Sequence, residues 1–186
     1  MEITLRPLEV TDISDSYVSW FKSRQVTAFL EVSDLTKDDC KNYLLEGRNA
    51  GTRFMYAICE PEHGKVIGTV KIGEIDRKFM ISDLVTVIGD PDYWGKGLAT
   101  KAIRQGSHIA FEEHGIRKLH GGMYDQNIGS IKAYLRAGWV VEAILHGQYV
   151  LNNQTMDRVV VSCFNPTFFP SLPPLPSTRF DNIISR

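Results

Sequence analysis

The stretch from Leu84 to Ala110 leaves this chain little choice. An apolar run from Leu84 to Ile88 ends at Gly89, and the following Asp90-Pro91 is turn chemistry. From Leu98 the apolar period becomes that of one helical face, through Ala99, Ala102, Ile103, Gly106, Ile109 and Ala110. A strand therefore feeds a tight turn, and the turn feeds a helix. Gly95 and Gly97 stand where that helix begins. Without a Cβ the backbone there can take positive φ and approach a ligand closely. The first helical turn adds unpaired N–H groups and the positive end of the dipole, and Lys96 adds a full charge. Together these suit phosphate oxygens. The plainer alternative is a glycine-rich turn that only enters a helix.

Two familiar phosphate loops do not fit. A Walker A loop needs four residues between its first glycine and Gly-Lys-Ser/Thr, whereas five separate Gly89 from Gly95 and Gly97 follows Lys96. The dinucleotide fingerprint needs a third glycine where Thr100 stands. Trp94-Gly95-Lys96-Gly97-Leu98-Ala99 instead resembles the acyl-CoA pyrophosphate loop of the GNAT superfamily of N-acetyltransferases, whose pattern is Gln/Arg-x-x-Gly-x-Gly/Ala. Gly97 and Ala99 match its last two fixed positions, and Trp94 departs from the first. The Tyr-Trp-Gly-Lys-Gly form is similar to the branch holding ribosomal-protein N-terminal acetyltransferases of the Rim type. The likeness spans residues 1–164. It implies acetyl-CoA as acyl donor, held by Trp94, Gly95, Lys96, Gly97, Leu98, Ala99 and Thr100. It also implies two strands splayed around the central helix, with pantetheine pairing in the gap against backbone at Val87, Ile88 and Gly89.

Composition adds bounds. Apolar residues make up 43% and charged residues 23%, as in an ordinary globular chain, and net charge is −1, with no basic excess for nucleic acid. Cys40, Cys59 and Cys163 lack a disulfide framework and fit reduced thiols of a cytoplasmic protein. No signal-like or membrane-length apolar run is visible, so no membrane partner is expected. The histidines show no metal-ligand spacing, so no metal is expected.

Taken in order, Ile3 to Leu5 forms a short strand, and Thr11-Asp12 caps a helix carrying Tyr17, Val18 and Trp20. Val26 to Leu30 is a short helix or loop, and a third helix runs from Thr36 to a stop at Gly47. Strands follow at Phe54–Cys59, Val66–Ile75 and Ile81–Ile88. The central helix spans Gly97 to Glu113. Lys118–Met123 is a strand parallel to that at Ile81–Ile88. A helix from Asn127 to Ala137 and a closing hairpin, Trp139–Leu145 with Met156–Phe164, complete residues 1–164. The expected fold class is α+β: a mixed, mostly antiparallel central sheet flanked by helices. Residues 165–186, with prolines at 166, 170, 173, 174 and 176, form an arm of polyproline character. That arm either lies on the surface or packs on a second subunit, making a homodimer, through Phe168, Phe169, Leu172 and Leu175.

Acetyl transfer to an amine needs an unprotonated amine, a donor for the oxyanion and a proton for the thiolate. Asn127-Ile128-Gly129-Ser130-Ile131-Lys132-Ala133-Tyr134 resembles the second GNAT motif, Asn-x-x-Ser/Ala-x-x-x-Tyr. By that resemblance Asn127 holds the pantetheine arm and Tyr134 is the general acid, with Ser130 the fallback donor. As plain structure, Asn127 is a helix cap and Tyr134 a core aromatic. The glutamate base of some superfamily members would fall at Ile81, which leaves Asp83 or Glu74. An α-amine with a pKa of about 7.7–8.0 needs little help from a base, which leans against a lysine acceptor near 10.4. Trp20, Phe29, Glu31, His146 and Tyr149 are candidate liners of the acceptor pocket. The expected partner is a small-molecule amine, such as a nucleotide-linked amino sugar. The alternatives are a protein α-amine and a non-catalytic acyl-CoA-binding module.

Overall fold

The computed structural model describes residues 1–151 and 153–181, so the last five residues of the predicted arm lie outside the described residues. Strand β1 (Thr4–Pro7) leads through a 3₁₀ turn to helices α1 (Asp15–Trp20), α2 (Arg24–Thr27) and α3 (Lys37–Ala50). Strands β2 (Phe54–Cys59), β3 (Val66–Ile72) and β4 (Ile81–Ile88) follow, then α4 (Leu98–Glu112), β5 (Lys118–Tyr124) and α5 (Ile128–Arg136). Strands β6 (Val140–Leu151) and β7 (Gln154–Phe164) close the chain as a hairpin. All seven strands form one sheet in the order β1-β2-β3-β4-β5-β7-β6. Each neighbouring pair is antiparallel except β4 and β5. Pro7, which has no N–H to give, sits on the edge strand where none is needed.

Alternation along β2 sorts the two faces. Tyr56 and Ile58 point into the larger core, with Ala102 and Ile103 of α4 and Ile131 and Tyr134 of α5. Ala57 and Cys59 point into a second core with Tyr17, Val18, Trp20 and Leu44 of α1 and α3. Successive strand residues face opposite ways, so α4 covers one face and α1 and α3 the other. Gly106 lets α4 sit close on the sheet: a Cβ there would lie 2.8 Å from Val70 Cγ1. Among the described residues no helix is long and apolar enough to cross a membrane.

Several local expectations need correction. Thr11-Asp12 does not cap α1. Ser14 does, accepting from the Tyr17 N–H at 3.2 Å, while Asp12 is held by Arg6 at 2.7 Å. Gly47 does not stop α3; it lies inside the helix beneath the Arg53 side chain, and Gly51 ends the helix at φ +66°. Strand β3 ends at Ile72 rather than Ile75, and the closing hairpin is longer than its apolar pattern. The C-terminal arm folds back onto its own chain. Phe180 is 4% exposed in the larger core, and Arg179 bonds Asp125 at 2.9 Å and Asp157 at 3.1 Å. Phe168 and Leu172 are exposed.

Candidate active site

Strands β4 and β5 pair only at Ile81–Asp83 with Lys118–His120, although both continue beyond. From there they form an open fork. Tyr134 of α5 stands in it, donating its hydroxyl to the Leu84 carbonyl at 2.8 Å. Its ring meets Trp139 edge-on at 4.8 Å, and the Trp139 indole donates to Ser107 of α4. The phenol is thereby fixed by both helices. Burial pushes its pKa above the ordinary value, so it is protonated at neutral pH. Gly89 N–H bonds the Ile67 carbonyl, and Gly73 N–H bonds the Asp83 carbonyl, so odd-numbered β4 residues turn their backbone toward β3. By alternation the even-numbered ones face the fork. Of these, Leu84 O is taken by Tyr134 and Ile88 O by the Trp94 indole at 2.8 Å. Thr86 lies between them, its buried hydroxyl beside that of Tyr134 but short of hydrogen-bond geometry.

At the upper end of the fork, Gly95 and Gly97 have φ of +71° and +73°. Gly97 is the N-cap of α4, and no side chain caps that helix. A Cβ on either glycine would meet nothing within 4 Å. The space beside the uncapped N–H groups is therefore open, as a phosphate group needs.

On the face covered by α1 and α3, a cavity of about 830 Å³ opens onto the fork. Its floor is a polar row across four strands: Lys71 of β3, Asp83 of β4, His120 of β5 and Arg158 of β7. Lys71 Nζ bonds Asp83 Oδ2 at 2.8 Å, while Asp83 Oδ1 is buried without a partner. His120 sits opposite Asp83 in the last pair before the fork. Burial lowers its pKa, against the pull of the Asp83 charge, so the imidazole is neutral at pH 7. One wall is aromatic, with Tyr124 stacked on Tyr149 at 4.2 Å and Phe29 tilted against Tyr124 at 5.8 Å.

An open cavity, joined through a strand fork to an uncapped helix start, gives room for two ligands side by side. The acetyltransferase (GNAT) domain family matches residues 2–140. The chain belongs to the GNAT family. It is 26% identical over 175 residues to a probable N-acetyltransferase, YjcK, of Bacillus subtilis, spanning 88% of this chain and 94% of that one. It is also 26% identical over 171 residues to spermidine N(1)-acetyltransferase of Escherichia coli, spanning 87% and 86%. The fold matches spermidine N-acetyltransferase from Vibrio cholerae, solved with CoA and spermine. The TM-score is 0.79, with 19% identity over 87% of this chain and 95% of that one. It also matches ribosomal-protein-S5-alanine acetyltransferase from Vibrio fischeri, with a TM-score of 0.76 and 21% identity over 89% and 94%. This GNAT protein is therefore an N-acetyltransferase, and the family's acyl donor is acetyl-CoA. The open fork, the uncapped helix start and the space beside Gly95 and Gly97 fit that donor.

Within the GNAT frame the sequence-predicted residues divide. Asn127, Ser130, Tyr134 and Asp83 all line the cavity, as do Val87, Phe29, Glu31 and Tyr149. Asn127 caps α5, its side chain accepting from the Ser130 N–H at 3.2 Å. Trp94, Gly95, Lys96, Leu98, Ala99 and Thr100 stand together with Gly97 at the helix start, where Lys96 Nζ lies 5.2 Å from the Tyr93 ring centroid. Gly89 is different. A Cβ there would enter the Trp20 indole, so its bareness serves packing. Trp20, expected to line the acceptor pocket, is 6% exposed beneath that turn and lies off the cavity. His146 is also off it, bonded to Asp157 at 3.0 Å. Glu74 is engaged by Arg53.

Four site residues escaped sequence reasoning, Lys71 among them with no local signal. His120 could have been found by laying the parallel strands in register from Ile81 and Lys118. Thr86 is visible only once the fork shows which β4 residues face it. Arg158 carried no local signal. The cysteines are free, and burial raises all three thiol pKa values, so none is a ready nucleophile. Among the described residues, Glu60, Glu62 and His63 gather possible metal-ligand atoms. Glu60 there accepts from the N–H groups of Glu62 and His63, which is the bonding of the β2–β3 turn.

Proposed function

We propose that this N-acetyltransferase moves an acetyl group to a small primary amine held in the cavity, by direct attack while both substrates are bound. The observation that carries this reading is the floor of the cavity at the fork. There a neutral His120, a half-free Asp83 carboxylate and a protonated Tyr134 come together. The cavity volume of about 830 Å³ suits a small acceptor, and curated relatives at 26% identity are named for a polyamine.

Acetyl-CoA, when bound, supplies a thioester acetyl group. The residues of the chain do the rest. The bare backbone at Gly95 to Thr100 and the charge of Lys96 hold the pyrophosphate. The fork-facing backbone of Thr86 offers the pantetheine a strand-like edge, and its hydroxyl is free to bond the same arm. Asp83 Oδ1 accepts from the incoming amine and draws it to the fork. His120 takes the amine proton, as a neutral imidazole can. Tyr134 gives its proton to the departing sulfur. The high pKa of the phenol keeps that proton available, and the hydroxyl exchanges its bond to the Leu84 carbonyl for the new acceptor.

The test is thiol release from acetyl-CoA over a panel of small amines, amino sugars and peptides with free α-amines. Turnover confined to small amines is expected. Turnover only on the peptides would move the acceptor to a protein N-terminus. Tight CoA binding with no turnover on any amine would leave a binding module.

A further inference from the structure

Among the described residues, the other partly buried arginines are all engaged. Arg48 bonds Glu9 and the Leu8 carbonyl, Arg53 bonds Glu74 and the Tyr43 carbonyl, and Arg117 bonds the Phe79 carbonyl. Arg158 is different: among the described residues it forms no ion pair and no side-chain hydrogen bond, and its Nε, like that of Arg53, is buried without a partner. It faces the chamber from β7, opposite Tyr124 in the antiparallel ladder and so on the same face as Tyr124, Gly122 and His120. Its guanidinium lies flat over Gly122. A Cβ on that glycine would fall 2.6 Å from Arg158 Cζ and closer still to Nε. Gly122 itself rims the open fork, two residues beyond His120 on the same strand. The glycine thus lets a cation lean across β5 to the place where the acceptor must present its amine. A buried guanidinium nitrogen without a partner is costly unless a ligand supplies one.

We infer that the acceptor carries an anionic group a few bonds from its amine, and that Arg158 is the residue that reads it. This rests on the N-acetyltransferase reading above. His120 and Gly122 are two strand steps apart, roughly 7 Å. An amine at His120 and an anion at Arg158 then belong to one compact zwitterion, such as an amino acid or an amino-sugar phosphate. The unpartnered atoms agree in sign. Asp83 Oδ1 lacks a donor and Arg158 Nε lacks an acceptor, and both face the same chamber. A polyamine would supply the first and leave the second bare. Glu31, Asp39 and Glu46 also line the chamber, and none of them pairs with Arg158 among the described residues. Their carboxylates can hold a second amino group on such an acceptor.

Matched pairs of acceptors test this: ornithine against putrescine, lysine against cadaverine, and glucosamine 6-phosphate against glucosamine. The first two pairs probe a carboxylate and the third a phosphate. In the wild-type chain the anionic member of at least one pair should show a kcat/KM higher by about 10- to 100-fold, the range for a charged hydrogen bond. Arg158→Met should erase that preference by raising KM for the anionic member far more than for its counterpart without the anionic group, and Arg158→Lys should restore part of it. CoA affinity, read by calorimetry, should be the same in all three proteins. Turnover in which the plain amines equal or exceed their anionic partners overturns this inference alone, as does an Arg158→Met effect that is equal on both members. Normal CoA binding with no turnover on any pair overturns the acetyltransferase reading, and this inference with it.

Discussion

The two sides of the fork use their glycines in opposite ways. On the acyl-donor side Gly95 and Gly97 face open space at positive φ, so what they omit is room for a ligand. On the acceptor side the space that a Gly122 side chain would need is already filled by Arg158. Gly89, at the hinge between the two sides, is filled by Trp20. In the proposed function the donor side recognises its ligand with backbone, which is the same in every protein, and the acceptor side does so with side chains delivered from separate strands. A bare backbone can serve a ligand common to a whole family, whereas a private substrate needs a private set of side chains.

The sharpest way to break this contrast is Gly97→Val. A β-branched residue at φ +73° is strained, and its methyl groups would occupy the open space beside the α4 N–H groups. Calorimetry should detect no CoA binding, while the folded chain keeps its sheet by circular dichroism. Ordinary affinity in a folded variant would mean that the open space at Gly97 is not a ligand site. Tyr134→Phe comes next. Removing the hydroxyl should lower kcat by about 10²-fold, the usual effect of losing an acid–base group, with acetyl-CoA affinity unchanged. An unaltered kcat would reduce Tyr134 to the post that holds Leu84. Gly122→Ala is the acceptor-side counterpart of the first variant. It should displace the guanidinium and raise KM for the acceptor by about tenfold, as loss of one charged hydrogen bond does, while CoA binding stays normal. If Gly122→Ala weakened CoA and spared the acceptor, the division between the two sides would be wrong.

The same contrast explains what was legible in the sequence. Residues 84–100 and 127–138 each hold a complete local unit, a strand end with its turn or a capped helix with its tyrosine. Their spacing places them as elements of the fold, and the family resemblance assigns their roles. The central strands followed for the same reason, since alternation and turn residues are local signals. The acceptor chamber is assembled across β3, β4, β5 and β7, and no local pattern marks Lys71, His120 or Arg158 as neighbours. Trp20 shows the converse error: a large aromatic in an N-terminal helix looked like a pocket wall, and it serves as the cover of Gly89. Phe180 was hidden in a proline-rich tail whose composition suggested a surface arm. It is buried beside Arg179, which reaches Asp125 and Asp157, contacts that only the tertiary fold brings together.

The smallest expected effect separates two histidines on opposite sides of this divide. His120 lies on the acceptor floor, facing Asp83, Arg158, Lys118 and Glu142. His114 lies away from the chamber, stacked on Phe54 at 4.2 Å and bonded to the Tyr56 hydroxyl at 2.8 Å. Burial lowers the pKa of both. Above the ordinary imidazole value of about 6.5 each is neutral folded and unfolded, and contributes nothing to pH dependence. As pH falls below that value the unfolded chain takes up protons that the folded chain refuses, so stability declines until the folded values are reached. Carboxylates such as Asp12 and Glu142, whose pKa values are lowered, act only further down, below about pH 4.5. Urea melts between pH 7.5 and 5 should therefore show a shallow loss. His114→Gln and His120→Gln should each remove part of it, and only His120→Gln should also lower kcat at pH 7.5. A pH-independent stability in this window would mean that neither imidazole is held neutral by burial. An equal loss of kcat from both variants would mean that the proton route does not run through the acceptor floor.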